Sequence, residues 1–165
     1  MKLQFTTKIN GKPTFFAEKI ILSLYRFKII SEIGAFNAMI DYYKSKNDGL
    51  AYEGGFPKIH TIRKDKSNLW EKGEFIDFFI DDFRFAPSVI VKSVQPIKMF
   101  YASDNIIEIT IDGRLITDFK EKEQLAINDG FNSYKDFFDY FYPIIKEIPN
   151  NLFIGKIIHW TDFKY

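Results

Sequence analysis

The chain has 165 residues, of which 46% are apolar and 18% aromatic, so it has ample material for one folded domain over residues 1–165. Its 23 Lys and Arg residues against 22 Asp and Glu give a formal charge of +1, which argues against coating of long nucleic acids. The absence of cysteine excludes disulfides, thiolate metal sites and a cysteine nucleophile. The sequence shows neither a signal peptide nor a membrane span, so we expect a cytoplasmic protein.

The N-terminal part combines one predicted strand with a long helical segment. Residues 3–8 alternate between apolar and polar side chains and end at the turn sequence NGKP. From residue 14 to about residue 46, the apolar residues recur at helical spacing, with a break at 31–34. This pattern predicts two helices, followed by a loop at YEGGFP.

The rest of the chain is dominated by predicted strands, rich in Ile, Val and Phe, at 58–63, 74–80, 88–99, 106–111 and 152–160. A short helix is predicted at 121–128, and Ser133 and Asp136 form a capping box for another. The pair Asp112 and Gly113 is a strong hairpin signal. Many strands without a βαβ rhythm predict an α+β fold with a mostly antiparallel sheet, rolled into a small barrel with added helices.

Several common kinds of site are missing from the sequence. His60 and His159, the two histidines, are too far apart in the chain to suggest a histidine zinc site, and no spacing of Asp and Glu indicates a magnesium site. The sequence EGGF lacks the Lys-Ser/Thr of a P-loop, and no G-x-S-x-G elbow is present. We therefore expect neither a metal nor a cofactor.

Four stretches in a fixed order resemble the ASCH domain family. They are GGFPKIHTIRKD at 54–65, LWEKGEFIDFF at 69–79, LAINDGFNSYKDFFDYF at 125–141 and GKIIHWTDF at 155–163. ASCH domains are relatives of the PUA domain and share its small β-barrel, so the resemblance implies a PUA-like barrel. The helical segment at 14–46 is larger than the family minimum and is interpreted as an elaboration.

The resemblance also implies a function. The family is associated with RNA binding, some small bacterial members hydrolyse the amide of an N4-acylated cytidine, and others have been linked to RNA cleavage. In the amidohydrolases a Lys and a Thr lie three residues apart, followed later by a Glu near a short helix. Lys58 and Thr61 match the first two positions, and Asp129 stands where the family has Glu.

The same three residues can be assessed from their chemistry. Thr61 is a candidate nucleophile, Lys58 a candidate base if burial lowers its pKa, and Asp129 a candidate to orient Lys58 or to protonate the leaving amine. In a regular strand Lys58 and Thr61 would point to opposite faces. They can share a site if Lys58 precedes the strand, which Pro57 favours. The alternatives are a solvated loop lysine and an ordinary strand threonine.

Candidate ligand-binding residues surround this motif. Lys58, Arg63 and Lys64 supply local positive charge for a phosphate, although Arg63 can instead pair with Asp65 or with the carboxylate at position 129. The rings of three further residues are candidates for contact with a base, with a structural role as the alternative for each: His60, Trp70 and His159.

We expect the protein to bind RNA or a modified nucleoside, favouring a short single strand over a duplex. An amidohydrolase or a ribonuclease using Lys58, Thr61 and Asp129 is the first alternative. A protein-interaction module or homodimer formed through the helices at 14–46 is the second.

Overall fold

The structure is a computed structural model that describes residues 1–31, 44, 49–65, 67–103 and 106–165. Within these ranges the fold is α+β, as predicted. The helices are α1 (Phe16–Arg26), α2 (Phe119–Asn128) and α3 (Tyr134–Lys146), and a 3-10 turn spans Pro149–Asn151. The strands are β1 (Lys2–Phe5), β2 (Lys8–Ile9), β3 (Lys12–Pro13), β4 (His60–Lys64), β5 (Phe75–Ile80), β6 (Phe83–Arg84), β7 (Val89–Ile90), β8 (Ser93–Ser103), β9 (Ile106–Ile111), β10 (Arg114–Ile116) and β11 (Leu152–His159).

The largest sheet has five antiparallel strands in the order β10-β9-β8-β11-β4. Its register places His159 on β11 opposite both His60 on β4 and Ser93 on β8. In a second sheet β5 pairs with β6 and β7, and also with β1, which runs parallel to it. Strands β2 and β3 form a separate hairpin. Pairing is thus mostly antiparallel, and no closed barrel is seen among the described residues.

One continuous core joins the sheets to the helices. Alternate residues of β5, including Ile76 and Phe78, point inward, and Phe78 contacts Trp160 edge-to-face at 5.2 Å between ring centroids. The apolar face of α1 is buried in the same core, where Ser23 accepts a hydrogen bond from the Trp160 indole at 2.8 Å. Helix α1 is therefore an integral part of the fold. Residues 32–34 of the predicted break and most of the second helix lie outside the described residues.

Short-range signals in the sequence predicted the turns well. Asp112 and Gly113 have φ angles of 50° and 82°, as a two-residue hairpin requires, and they join β9 to β10. At the start of α3, the Ser133 hydroxyl accepts a hydrogen bond from the Asp136 amide. The hairpin and the Ser133 cap are confirmed, whereas the Asp136 carboxylate accepts from the Ser133 hydroxyl rather than completing the predicted capping box.

The strand predicted at 88–99 is wrong in one respect, because the structure divides it into β7 and β8. The chain changes partners between them. The Val91 amide donates to the Glu74 carbonyl beside β5, whereas the next amide, of Lys92, donates to the His159 carbonyl on β11. The single apolar run at 88–99 thus contributes one strand to each of two different sheets.

Some element boundaries also differ from the prediction. Strand β1 ends at Phe5 rather than at residue 8, because Lys8 belongs to the β2–β3 hairpin. Helix α2 begins at Phe119, two residues early, because the Asp118 side chain caps it by accepting from the Lys120 amide. The last strand ends one residue earlier than predicted. In the described part of the chain, no helix is long and apolar enough to cross a membrane.

Candidate functional site

Lys58 lies immediately before β4, not in the strand as the sequence pattern predicted. Its amide donates to the Lys19 carbonyl of α1, and the Ile59 amide donates to the Asn128 carbonyl at the end of α2. The amides of these two residues thus bond to helices, and β4 pairs with β11 only from His60 onward. Because Lys58 is not part of the strand, its side chain need not point away from that of Thr61, and the two residues can share a site.

The Lys58 side chain is buried and makes an ion pair with Asp129. Its Nζ lies 2.6 Å from Asp129 Oδ1 and also donates to the Asp129 carbonyl. Asp129 is equally buried, at the C-terminal end of α2, and its Oδ1 accepts from the Ile62 amide at 3.1 Å. The alternative of a solvated loop lysine is therefore wrong.

Burial and pairing act against each other on the two pKa values. Burial lowers the pKa of Lys58 to about 8, although the Asp129 carboxylate partly offsets this effect. For Asp129, burial raises the pKa, but the Lys58 ammonium and the nearby His60 outweigh it, and the net pKa lies below its ordinary value. At neutral pH the pair is consequently ionised, with a minor fraction of neutral Lys58.

A cavity of about 220 Å³ opens beside this pair. Ligand pockets usually measure about 300–1,000 Å³, so this small one suits a single base with at most a small substituent better than a nucleic-acid strand. Aromatic and polar residues share its wall, which consists of Gln4, Phe5, Thr6, Phe16, Lys58, Thr61, Ile62, Arg63, Asp129, Phe131, Tyr140 and Phe141.

All three residues of the predicted catalytic set line this cavity. Thr61 is on β4, is almost fully buried and lines the cavity. The hydrogen bonds from the Lys58 ammonium and the Ile62 amide both end on Oδ1 of Asp129. The residues that line this one cavity thus include a hydroxyl, an amine and a carboxylate.

Arg63 is the one predicted ligand-binding residue besides Lys58 that lines the cavity. Its guanidinium lies 4.8 Å from the centre of the Phe5 ring, and its Nη2 donates to the Gln4 carbonyl at 2.8 Å. Its Nε is buried without a partner in the described structure. Of the two structural alternatives for Arg63, pairing with Asp65 is not found, because the Asp65 carboxylate lies 3.2 Å from Lys156 Nζ.

The remaining candidates lie away from the cavity wall. Trp70 is buried in the core, where its amide donates to Asp65 Oδ2, so it anchors a turn. Lys64 is exposed on β4. His60 and His159 are fully buried behind the Lys58–Asp129 pair, with ring centroids 5.2 Å apart. In the described structure, none of these four residues borders the cavity.

Sequence reasoning missed a second buried lysine. Lys19 Nζ donates to the Gly130 carbonyl at 2.6 Å and to Asn132 Oδ1 at 2.8 Å, and it borders a neighbouring cavity of about 210 Å³. Phe16 and Phe131 line both cavities, with their rings in edge-to-face contact at 5.9 Å. The sequence did contain a signal for it, because Lys19 stands among the apolar residues of α1 that face the core.

Comparisons with known proteins identify no relative of this chain. A scan against models of protein families, a search of curated proteins and a search of solved structures each found no match. The function is therefore argued from the geometry of the site.

Proposed function

We propose that this chain is an ASCH-like, PUA-related domain that binds an N-acylated nucleoside, free or in a short RNA, and hydrolyses its amide bond. One observation carries the proposal: Lys58, Thr61 and Asp129, which come from two distant parts of the chain, line the same small cavity. Amide hydrolysis needs a nucleophile, a group that takes its proton and a donor for the oxyanion.

The three side chains support a balanced reaction. The Thr61 Oγ attacks the acyl carbonyl carbon while neutral Lys58 accepts the hydroxyl proton. The tetrahedral intermediate then breaks its C–N bond, and the amine of the base leaves with a proton returned by Lys58. Water then attacks the Thr61 ester while the Asp129 carboxylate accepts its proton; the bond to Thr61 Oγ breaks, Asp129 passes the proton to this oxygen, and the carboxylic acid leaves with both groups restored.

Arg63 supplies the remaining requirement. Its buried Nε–H has no partner in the described structure and belongs to a residue of the cavity wall. A buried cationic donor of this kind is suited to the negative charge that develops on the carbonyl oxygen. Removing one such donor typically slows the chemical step by about 100-fold or more.

The ligand class follows from size and charge. A cavity of about 220 Å³ accommodates one base with a small acyl group, and its aromatic lining offers stacking surfaces. The overall charge of +1 is too small for binding a long duplex, while two local cations suffice for one nucleotide.

The test is mass-spectrometric detection of deacylation with N-acylated nucleosides and short RNAs. We expect the wild type to release free nucleoside and Lys58→Ala and Thr61→Ala to lose this activity, with partial rescue by Thr61→Ser. Lys64→Ala is the matched control, since Lys64 is exposed on the same strand, and it should retain activity. Intact acyl nucleosides with the wild type contradict hydrolysis, and RNA fragments that depend on Lys58 indicate a ribonuclease instead.

Binding without hydrolysis is the second candidate, favoured by the ionised Lys58–Asp129 pair at neutral pH. In this case Lys58 and Arg63 act as fixed cations. Titration with a short RNA would then give weaker binding for Arg63→Ala than for the wild type, with the largest difference at low salt. Equal affinity at low salt would contradict this candidate.

A further inference from the structure

A chain of partly buried hydrogen bonds leads from α2 to the back of the Lys58–Asp129 pair. Gln124 Nε2 donates to Asn128 Oδ1 at 2.8 Å. Asn128 Nδ2 in turn donates to the Tyr165 hydroxyl at 2.9 Å. The hydroxyl oxygen of Tyr165 is thus used as an acceptor on this side.

The remaining contact of that hydroxyl determines the state of His60. Tyr165 Oη lies 2.7 Å from His60 Nε2; the His60 ring is fully buried and Tyr165 is half-buried. The other ring nitrogen, Nδ1, lies 3.7 Å from the Asp129 carboxylate, which favours a hydrogen on Nδ1, so Nε2 accepts the proton of the Tyr165 hydroxyl. His60 Nε2 is therefore the bare nitrogen, and Nδ1 carries the hydrogen.

The protonated nitrogen of His60 faces the catalytic carboxylate. Nδ1 lies 3.7 Å from Asp129 Oδ1, which is too long for a hydrogen bond but close enough for electrostatic attraction. Oδ1 thus accepts hydrogen bonds from the Lys58 ammonium and the Ile62 amide, and the His60 ring adds an electrostatic attraction. Both hydrogen bonds to the carboxylate in the described structure end on Oδ1, and Asp129 itself lines the cavity.

The groups around His60 keep the ring neutral. Burial lowers its pKa, and although the Asp129 carboxylate opposes this change, the Lys58 ammonium adds to it. His159, the neighbouring ring, is itself neutral, since burial lowers its pKa to about 3. A neutral ring can hold one defined tautomer, as a positioning role requires.

Tyr165 is also held firmly by its main chain. Its amide donates to Gln95 Oε1 at 3.0 Å, and Gln95 Nε2 donates to the Tyr165 carbonyl at 3.3 Å. Gln95 Nε2 lies in addition 2.6 Å from Asp112 Oδ2. The hydroxyl of Tyr165 is therefore fixed relative to β8, and through β8 relative to the sheet that carries His60.

We propose that Tyr165 and His60 are positioning residues: the Tyr165 hydroxyl selects the Nδ1–H tautomer of His60, which directs Asp129 so that Oδ2 faces the substrate. Neither residue touches the cavity, so both act through Asp129. The consequence for turnover rests on the proposed amide hydrolysis, whereas the tautomer and the hydrogen bond do not depend on it.

The experiment is a long-range proton–nitrogen NMR spectrum of the imidazole rings, which separates N–H from bare nitrogens. Only two histidines contribute, and His159→Gln assigns them. We expect a neutral His60 with hydrogen on Nδ1, and a shift of its Nε2 resonance in Tyr165→Phe. Tyr134→Phe is the matched control, because it removes another half-buried hydroxyl, bonded to the Ile107 carbonyl, and should leave the His60 signals unchanged.

Two spectroscopic outcomes would overturn the inference: hydrogen on Nε2 in the wild type, or an Nε2 resonance that Tyr165→Phe does not move. In the deacylation assay, Tyr165→Phe should lower kcat about tenfold with KM nearly unchanged, as for an interaction that matters in the transition state. An unchanged kcat overturns the positioning role. If the wild type shows no deacylation, the proposed function fails while the NMR result still decides the tautomer.

Discussion

Lys58 and Lys19 lie on the two sides of Gly130, both with buried ammonium groups, but their charges are compensated differently. Lys58 is paired with the Asp129 carboxylate at 2.6 Å. Lys19 donates to two neutral oxygens, the Gly130 carbonyl and the Asn132 side chain. Burial lowers both pKa values to about 8, with Asp129 offsetting it for Lys58 and the Lys58 charge adding to it for Lys19.

The comparison shows that two lysines with similar pKa values can contribute very differently to the stability of the fold. Removing a buried cation from an ion pair leaves an uncompensated anion, which is much more costly than leaving carbonyl oxygens without a donor. Lys58 should therefore matter for folding as well as for the proposed chemistry, and Lys19 much less for folding. The following variants test this difference.

The largest effect is expected for Lys58→Met. This change leaves the Asp129 carboxylate buried without its cation, so we expect the free energy of unfolding to fall by about 3–5 kcal/mol. Urea denaturation followed by circular dichroism would measure it. A loss below about 1 kcal/mol would mean that Asp129 is hydrated or protonated once Lys58 is absent.

The matched variant is Lys58→Met combined with Asp129→Asn, which removes both charges. It should be more stable than Lys58→Met alone, because no bare carboxylate remains. If the double variant is the less stable of the two, the buried charge is not the cause of the loss.

A smaller effect is expected for Gly130→Ala, which lies between the two lysines. Gly130 has a φ of +92°, and an added Cβ would stand 2.9 Å from Lys58 Cδ and 3.0 Å from the Phe16 ring. Backbone strain and overpacking together should cost about 2–3 kcal/mol. Gly113→Ala, with a φ of +82° and no atom within 4 Å of an added Cβ, isolates the strain. Equal losses in both would exclude overpacking at Gly130.

The smallest effect is expected for Lys19→Met, about 1 kcal/mol near neutral pH, since two oxygens lose a donor. Its pH dependence is more informative. Between the folded pKa of about 8 and the ordinary value of 10.5, the unfolded chain binds more protons at Lys19, so this lysine makes stability rise with pH. Below this window Lys19 is protonated in both states and contributes no slope. Denaturation across the window should give a shallower rise for Lys19→Met than for the wild type, and an equal slope would contradict the lowered pKa.

Much of the secondary structure was predictable because its causes are local. The turn at Asp112 and Gly113 and the cap at Ser133 depend on neighbouring residues alone. The division of the 88–99 run into two strands was not predictable, since it depends on which sheet each amide finds as a partner. The proposed barrel remains a prediction from the resemblance to ASCH domains.

The candidate site, too, was predictable only in part from the sequence. The sequence by itself determined the α+β class, the hairpin at Asp112 and Gly113, and the three residues Lys58, Thr61 and Asp129 as candidates. Only the tertiary structure decided that Lys58 is buried and paired with a residue 71 positions away, and that Lys19 and Tyr165 lie close to this pair. The physical reason is range: turns and caps are set by contacts within a few residues, whereas burial, charge pairing and tautomer choice depend on which distant segments pack together.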